Sequence, residues 1–556
     1  MTRTPTAMDA LAERYFEASV ELSPLWMTSL GRSTRQDEYD DLSPEGLAAQ
    51  QRLVDATLAE VDNVPVADAT DAVTASALRE RLGLAAQRHQ AGEDLADINN
   101  IASGLHAIRE TYDLMPMATD ADWNTIARRL TAVPKAVAQW FQTQLAGIDA
   151  GVLPAVRQVD TLADQAEGWI GDNGFFAELP ARAQAAVPTL SATTRDALVA
   201  GVAEARQAYA GAVRALREQL RPLASPEDGI GEQRYALASR SFLGTEVDFA
   251  QTYRWGIEQV AELEARQAEI CAKLRPGMTV AQTKQSLDQD PAYLLYGADA
   301  MQQWMQTRAD EAIANLDGVH FDIPEPVKRI ECMIAPTHDG GIYYTEPSDD
   351  FSRPGRMWWS VPQSQTQFAT WRELTTVHHE GVPGHHLQLG QTVYNKDLLN
   401  SWRRGGIWVS GHGEGWALYA EQLMADLGFL DDPAMMLGML DGQALRATRV
   451  VIDMGLHCGF TPPPEVGASH WTFENALAYF NAHVAMDADV ARFEVMRYFG
   501  WPGQAPSYKI GQKVWTDLRD QTRQTQGAAF DLKAFHAKAL SLGALGLDTL
   551  REAMLG

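Results

Sequence analysis

The chain has 556 residues, 46% hydrophobic and 21% charged, which is the make-up of a globular protein with enough chain for a large core. Lys and Arg number 46 against 73 Asp and Glu, a net charge of −27, which argues against nucleic acid or an anionic membrane as partner, since both need a basic footprint. Three scattered cysteines, Cys271, Cys332 and Cys458, fit neither a disulfide framework nor a cysteine-rich zinc site.

The first twenty residues carry Asp9, Glu13 and Glu17 and no long apolar run, so they do not read as a signal peptide. No window reaches the roughly 18 apolar residues of a membrane span, and a cytoplasmic location is the expectation. Helical spacing of apolar residues predicts helices over 7–22, 43–62, 68–90, 96–115, 121–150, 155–170 and 190–223. Ser43-Pro44 provides a helix start, and Leu153-Pro154 and Leu179-Pro180 act as breaks. Long helices follow over 232–275 and 290–317. The texture then changes. Segments 319–324, 327–334, 342–345 and 356–361 read as short strands, with a turn at Asp339-Gly340-Gly341. From about 410 onward the pattern is helical again: 410–427, 432–456, 471–483, 486–499, 506–524, 529–541 and 545–554. The expected fold class is mainly α, one unit with two lobes (1–317 and 318–556) around a cleft, and a small sheet just before a histidine-rich helix.

That helix reads Thr375-Thr376-Val377-His378-His379-Glu380-Gly381-Val382-Pro383-Gly384-His385-His386. Neutral imidazole is a strong Zn²⁺ ligand, and a carboxylate beside a ligand can act as general base toward water. The H-E-x-x-H pattern places two His one helical turn apart. Here the spacing is longer. In an unbroken helix His385 would lie about 240° round from His379, and His386 about 10.5 Å further along. Neither could share an ion with His379 unless the helix is distorted. Pro383 removes a donor and disfavours helix at Val382, and Gly384 tolerates strained torsions. The expectation is a zincin-like helix with two extra residues at Pro-Gly, with His379 and His385 as ligands and His378 and His386 beside them.

A catalytic zinc site needs a third protein ligand and one position left open. Glu414, flanked by glycines at the start of the next long helix, suits that role; His412 is a rival. Glu421, two turns on, is placed to orient a ligand imidazole. Within 442–457, Arg446, Arg449, Asp453 and His457 recur at helical spacing. Arg449 and Asp453 are an i, i+4 pair; Asp453 and His457 could buttress the site while an Arg binds a substrate carboxylate. Further on, Tyr508 is the candidate oxyanion donor, with Arg497 and Lys509 as candidates for the substrate carboxylate. The strand carrying Tyr343 and Tyr344 is the candidate to line up an extended peptide.

Gly341-Ile342-Tyr343-Tyr344, Ser352-Arg353-Pro354-Gly355, the His379–Gln388 stretch, Glu414-Gly415-Trp416-Ala417-Leu418-Tyr419-Ala420-Glu421, and Pro502-Gly503-Gln504-Ala505 with Ser507-Tyr508-Lys509 occur in that order. Together they resemble the bacterial family called domain of unknown function 885. That family is similar, distantly, to the helical metallopeptidases related to carboxypeptidase Taq and angiotensin-converting enzyme. The resemblance implies a helical gluzincin-like fold and a zinc-dependent peptidase, with one Zn²⁺ held by His379, His385 and Glu414 and with Glu380 as base. Mn²⁺, Fe²⁺ or Co²⁺ also suit such a donor set. The expected function is hydrolysis of short peptides, by a carboxypeptidase or an oligopeptidase. The alternatives are a zinc amidohydrolase acting on another amide and a peptide-binding protein with a residual metal site.

Overall fold

A computed structural model describes residues 3–335, 341–362 and 364–556; Asp339 and Gly340 of the expected turn lie outside the described residues. The described residues are mainly helical, with five short strands among them. Helix starts are fixed by side chains that accept from otherwise unpaired N–H groups. Thr6 with Asp9, Thr119 with Asp122 and Thr472 with Asn475 form reciprocal caps. Ser43 caps a helix whose first residue is Pro44.

Most expected helices are present within a few residues: Ala7–Glu21, Pro44–Val61, Ala69–Gln90, Asp120–Asp149, Val156–Trp169 and Ala192–Ala215 before the sheet, and Pro433–His457, Phe473–His483 and Ala488–Gly500 after it. The exceptions have local causes. The helix expected from 96 begins at Gly104. The Asn99 side chain accepts from the N–H groups of Ile101 and Ala102 instead, holding a turn, and Ser103 then caps the helix. Pro180 does not break the chain: Phe175–Ala186 is helical through it, because Phe176, Leu179 and Ala183 are fully buried and their packing outweighs one missing hydrogen bond. The run 232–275 is two helices, divided by Gly244 in the left-handed region at φ +63°. Residues 319–324 are not a strand. They form a turn around Gly318 with a single bridge, Asp317 to Phe321, and Pro324 and Pro326 lead into a short 3₁₀ turn.

Strand β1 (Leu294–Tyr296), inside the expected helix 290–317, pairs antiparallel with β5 (Gln367–Ala369). Strand β4 (Gly355–Trp359) is the centre of a three-stranded sheet, parallel to β2 (Ile330–Ile334) and antiparallel to β3 (Ile342–Thr345). Strand β5 runs directly into the helix Thr370–Glu380. The sheet thus fixes where the histidine-rich segment starts.

Buried apolar side chains form two large cores. One spans Ile98 to Leu220 and is built around the helices Asp120–Asp149 and Ala192–Ala215. The other joins the N-terminal helices, Met8 to Leu82, to most of the chain from Tyr235 to Met554, and a small separate cluster holds Cys271, Leu287, Trp371, Ala434 and Leu437. The first of these is confined to 98–220, while Ala7–Glu21 and Ala69–Gln90 add to the core that also holds the C-terminal half. No helix among the described residues is long and apolar enough to cross a membrane.

The histidine-rich segment lies in the larger core. Leu130→Ala, in the other one, is therefore expected to cost about 2–5 kcal/mol of stability while leaving metal content unchanged; urea unfolding and metal analysis on the same preparation check both.

Candidate metal centre

The segment 370–394 is two helices, Thr370–Glu380 and His385–Tyr394, parted by Gly381-Val382-Pro383-Gly384. This differs from the single expanded helix expected from the spacing. Pro383 cannot donate, and Gly384 sits where a Cβ would collide with the carbonyl oxygens of His378 and His379, so the chain turns there. The break is held by Gly384 N–H donating to His378 O at 3.1 Å and His386 N–H donating to Gly381 O at 3.1 Å. Trp416 Nε1 donates to Pro383 O at 2.9 Å, which ties the break to the helix Ser410–Asp426. That helix crosses Ser507–Gln526 at Gly415 and Gly511, where no side chain fits between the backbones.

The result brings His379, His385 and Glu414 together, with one ligand atom of each within 4.8 Å of the others. Glu414 Oε2 lies 3.3 Å from His379 Nε2 and 3.4 Å from His385 Nε2. Bonds of about 2.0–2.1 Å in a tetrahedral zinc site put ligand atoms about 3.3–3.4 Å apart, so the donor set fits the ion. The two imidazole rings are nearly perpendicular, at 89°. Glu421 Oε1 accepts from His379 Nδ1 at 2.8 Å, and its Oε2 accepts from Thr375 Oγ1 at 2.6 Å. This leaves Nε2 of His379 turned toward Glu414, open to a cation.

The electrostatics favour a cation. Burial pushes His379 down, but Glu414 and Glu421 outweigh it and hold its pKa at about 10. Burial acts to raise Glu414, yet the hydrogen bonds with His379 and His385 keep it well below its ordinary value. The field that retains a proton on His379 equally favours a dication. Glu380 is buried, its Oε2 has no hydrogen-bond partner, and burial raises its pKa above the usual carboxylate value. That free oxygen is available to take a proton. Trp408, 52% exposed, stands 6.2 Å from the His385 ring.

The other candidates separate. His386 donates from Nε2 to Val327 O at 2.7 Å and accepts from Tyr344 Oη at 2.9 Å, which anchors the second helix to the sheet. His378 is buried, with a pKa pushed down to about 4. His412 is engaged with Gln388 and Trp515 and stands outside the three-residue cluster. Tyr343 stacks on Trp358. Arg449 pairs with Glu494 at 2.9 Å and not with Asp453; Arg497 pairs with the same glutamate at 3.0 Å. Lys509 donates to Gln443 and Gln512, and burial lowers its pKa to about 8. Asp453 accepts from Tyr235 Oη and Gly503 N–H, and His457 meets Tyr498 O; these contacts are away from the ligand imidazoles. Arg446 and Arg449 flank the ring of Tyr508, at 5.7 and 4.7 Å. Sequence reasoning passed over Thr375, although it lies at i−4 from His379 on the same helix face. It also passed over Glu494 and Trp408, for which no local pattern gives a signal.

The family model described as bacterial protein of unknown function (DUF885) matches residues 24–554, and the chain belongs to that family. Among solved structures it is similar to "the putative lipoprotein from Colwellia psychrerythraea", at 24% identity and a TM-score of 0.85, covering 99% of this chain and 98% of that one. It is also similar to "a putative lipoprotein of unknown function from Shewanella oneidensis", at 18% identity and a TM-score of 0.74, covering 99% and 100%. These two likenesses show the fold alone. No curated protein matches the chain.

Glu421→Ala is expected to weaken Zn²⁺ binding about 10–100-fold by freeing the His379 ring, whereas His412→Gln leaves it unchanged; competition against a chromogenic chelator measures both. Asp453 gives a pH effect. Burial raises its folded pKa to about 7, above the unfolded value of about 3.9. The folded state then binds the extra proton, so stability falls as pH rises from about 4 to about 7. Asp453→Asn is expected to flatten that fall in a series of thermal melts.

Proposed function

We propose that this protein is a zinc-dependent metallopeptidase of zincin-like fold that hydrolyses short peptides. The observation that carries the reading is the convergence of His379 and His385, whose Nε2 atoms lie 3.3 and 3.4 Å from one Glu414 oxygen, beside a buried carboxylate, Glu380, with a free oxygen. When bound, zinc supplies Lewis acidity, polarising a carbonyl and acidifying water. Glu380 takes the proton of the attacking water as its oxygen bonds to the peptide carbonyl carbon. It returns that proton to the nitrogen as the C–N bond breaks, giving a carboxylic acid and an amine, and the acid then ionises to the solvent. The raised pKa of Glu380 suits both halves of this cycle. Glu421 holds His379 in one orientation throughout, and the Tyr508 hydroxyl is the candidate donor to the developing oxyanion. The burial of His379, Glu380 and His385 favours short or unfolded chains over folded proteins.

Glu380→Gln is expected to keep zinc and lose about 10²–10⁴-fold in kcat. Metal analysis and digestion of a peptide library read by mass spectrometry test this together; undiminished cleavage by the zinc-loaded variant removes the mechanism.

A further inference from the structure

Lys509, on the helix Ser507–Gln526, is 6% exposed. Its ammonium donates to Gln443 Oε1 at 2.7 Å and to Gln512 Oε1 at 2.9 Å. Both acceptors are neutral amides, so they occupy two of its three N–H groups without cancelling its charge. Among the described residues Lys509 makes no ion pair. A charge withdrawn from water is costly until an opposite charge meets it. Burial accordingly pushes the Lys509 pKa down; Glu262 and Glu421 act the other way from beyond ion-pair distance, and Arg266 adds to the lowering.

Lys509 lines a cavity of about 250 Å³ between the helices Phe249–Leu274, Ser410–Asp426, Pro433–His457 and Ser507–Gln526. None of His379, His385 and Glu414 lines it, so it is separate from the metal centre. Hydrogen-bond donors are left unspent around it. Gln443, 1% exposed, turns its oxygen to Lys509, which fixes its other atom as a donor, and that Nε2 is buried without a partner. Half-buried Arg266 borders the same space and, among the described residues, makes no ion pair and no hydrogen bond. Of the two carboxylates there, Asp517 pairs with Lys513 at 2.6 Å, and the exposed Glu262 accepts from Gln259 Nε2 at 2.9 Å. Two cations bordering one space repel each other unless an anion lies between them. The cavity is smaller than the roughly 300–1,000 Å³ of a drug-sized ligand site, which restricts the occupant to a small ion or a small ester.

We propose that this cavity binds phosphate, free or as a small monoester, through the Lys509 ammonium, the Gln443 amide N–H and the Arg266 guanidinium. A tetrahedral oxyanion offers oxygens in several directions, so it can accept at once from donors carried by three different helices. The planar fork of Arg266 matches two of those oxygens, and Lys509 supplies a point charge. Lys509 thereby takes an anion other than the substrate carboxylate expected from the sequence. The site stands whether or not the metal centre cleaves peptides.

The test titrates the full chain calorimetrically with inorganic phosphate and with methyl phosphate at constant ionic strength. Saturable binding is expected, and Lys509→Met and Arg266→Gln are each expected to weaken it about 10–100-fold, the scale of one charge-assisted contact. Glu262→Gln, which removes the exposed carboxylate beside Arg266, is expected to tighten it. If Lys509→Met does not fold, Arg266→Gln decides, since that side chain is half-buried and holds no partner. Binding of methyl phosphate together with phosphate assigns the site to an ester, and binding of phosphate alone assigns it to the free ion. No saturable binding of either probe overturns the proposal. So does binding that a folded Lys509→Met or Arg266→Gln protein retains in full, because the ion then sits elsewhere, the metal centre included.

Discussion

Everything at the centre depends on how the backbone is broken between His379 and His385. In one continuous helix the two rings would point in unrelated directions. Four non-helical residues, Gly381–Gly384, turn the second helix so that both Nε2 atoms reach the same carboxylate oxygen. The break is stabilised from outside the segment: Trp416 donates to Pro383 O, and Tyr344 and Val327 O hold His386. The helix that supplies Glu414 is therefore the one that clamps the break, so ligand geometry and local backbone form a single packed unit.

Charge is sorted around that unit. Three glutamates, Glu380, Glu414 and Glu421, surround the imidazoles of His379 and His385, and burial strengthens their action on anything positive placed among them. The arginines lie to the other side, along Pro433–His457 and Ala488–Gly500, with Glu494 neutralising part of their charge. Arg446 stands where the two groups meet.

The fold was legible where the determinants are local. Periodic apolar faces and capping side chains placed most long helices within a few residues of their ends. The misreadings came where a longer-range effect overruled a local signal. Pro180 is carried inside a helix because Phe176 and Leu179 fill a core made by distant helices. Leu294–Tyr296 leaves the helical pattern to pair with a strand more than seventy positions on. The N-terminal helices join the C-terminal half, an association invisible in any window of sequence.

At the centre the same division holds. The sequence by itself determined the residue types and the near-neighbour geometry: imidazoles on both sides of a Pro-Gly break, a carboxylate beside the first of them, and glycines next to Glu414 that allow close helix contact. These follow from torsional limits and helical spacing over a few residues. Only the tertiary structure decided which charged side chain meets which. Arg449 and Asp453 face each other at i, i+4 in sequence, yet Arg449 goes to Glu494, forty-five positions away, and Asp453 to Tyr235 and Gly503. The cost of burying a charge is paid by whatever partner packing delivers, and packing is set by the crossing of helices far apart in the chain.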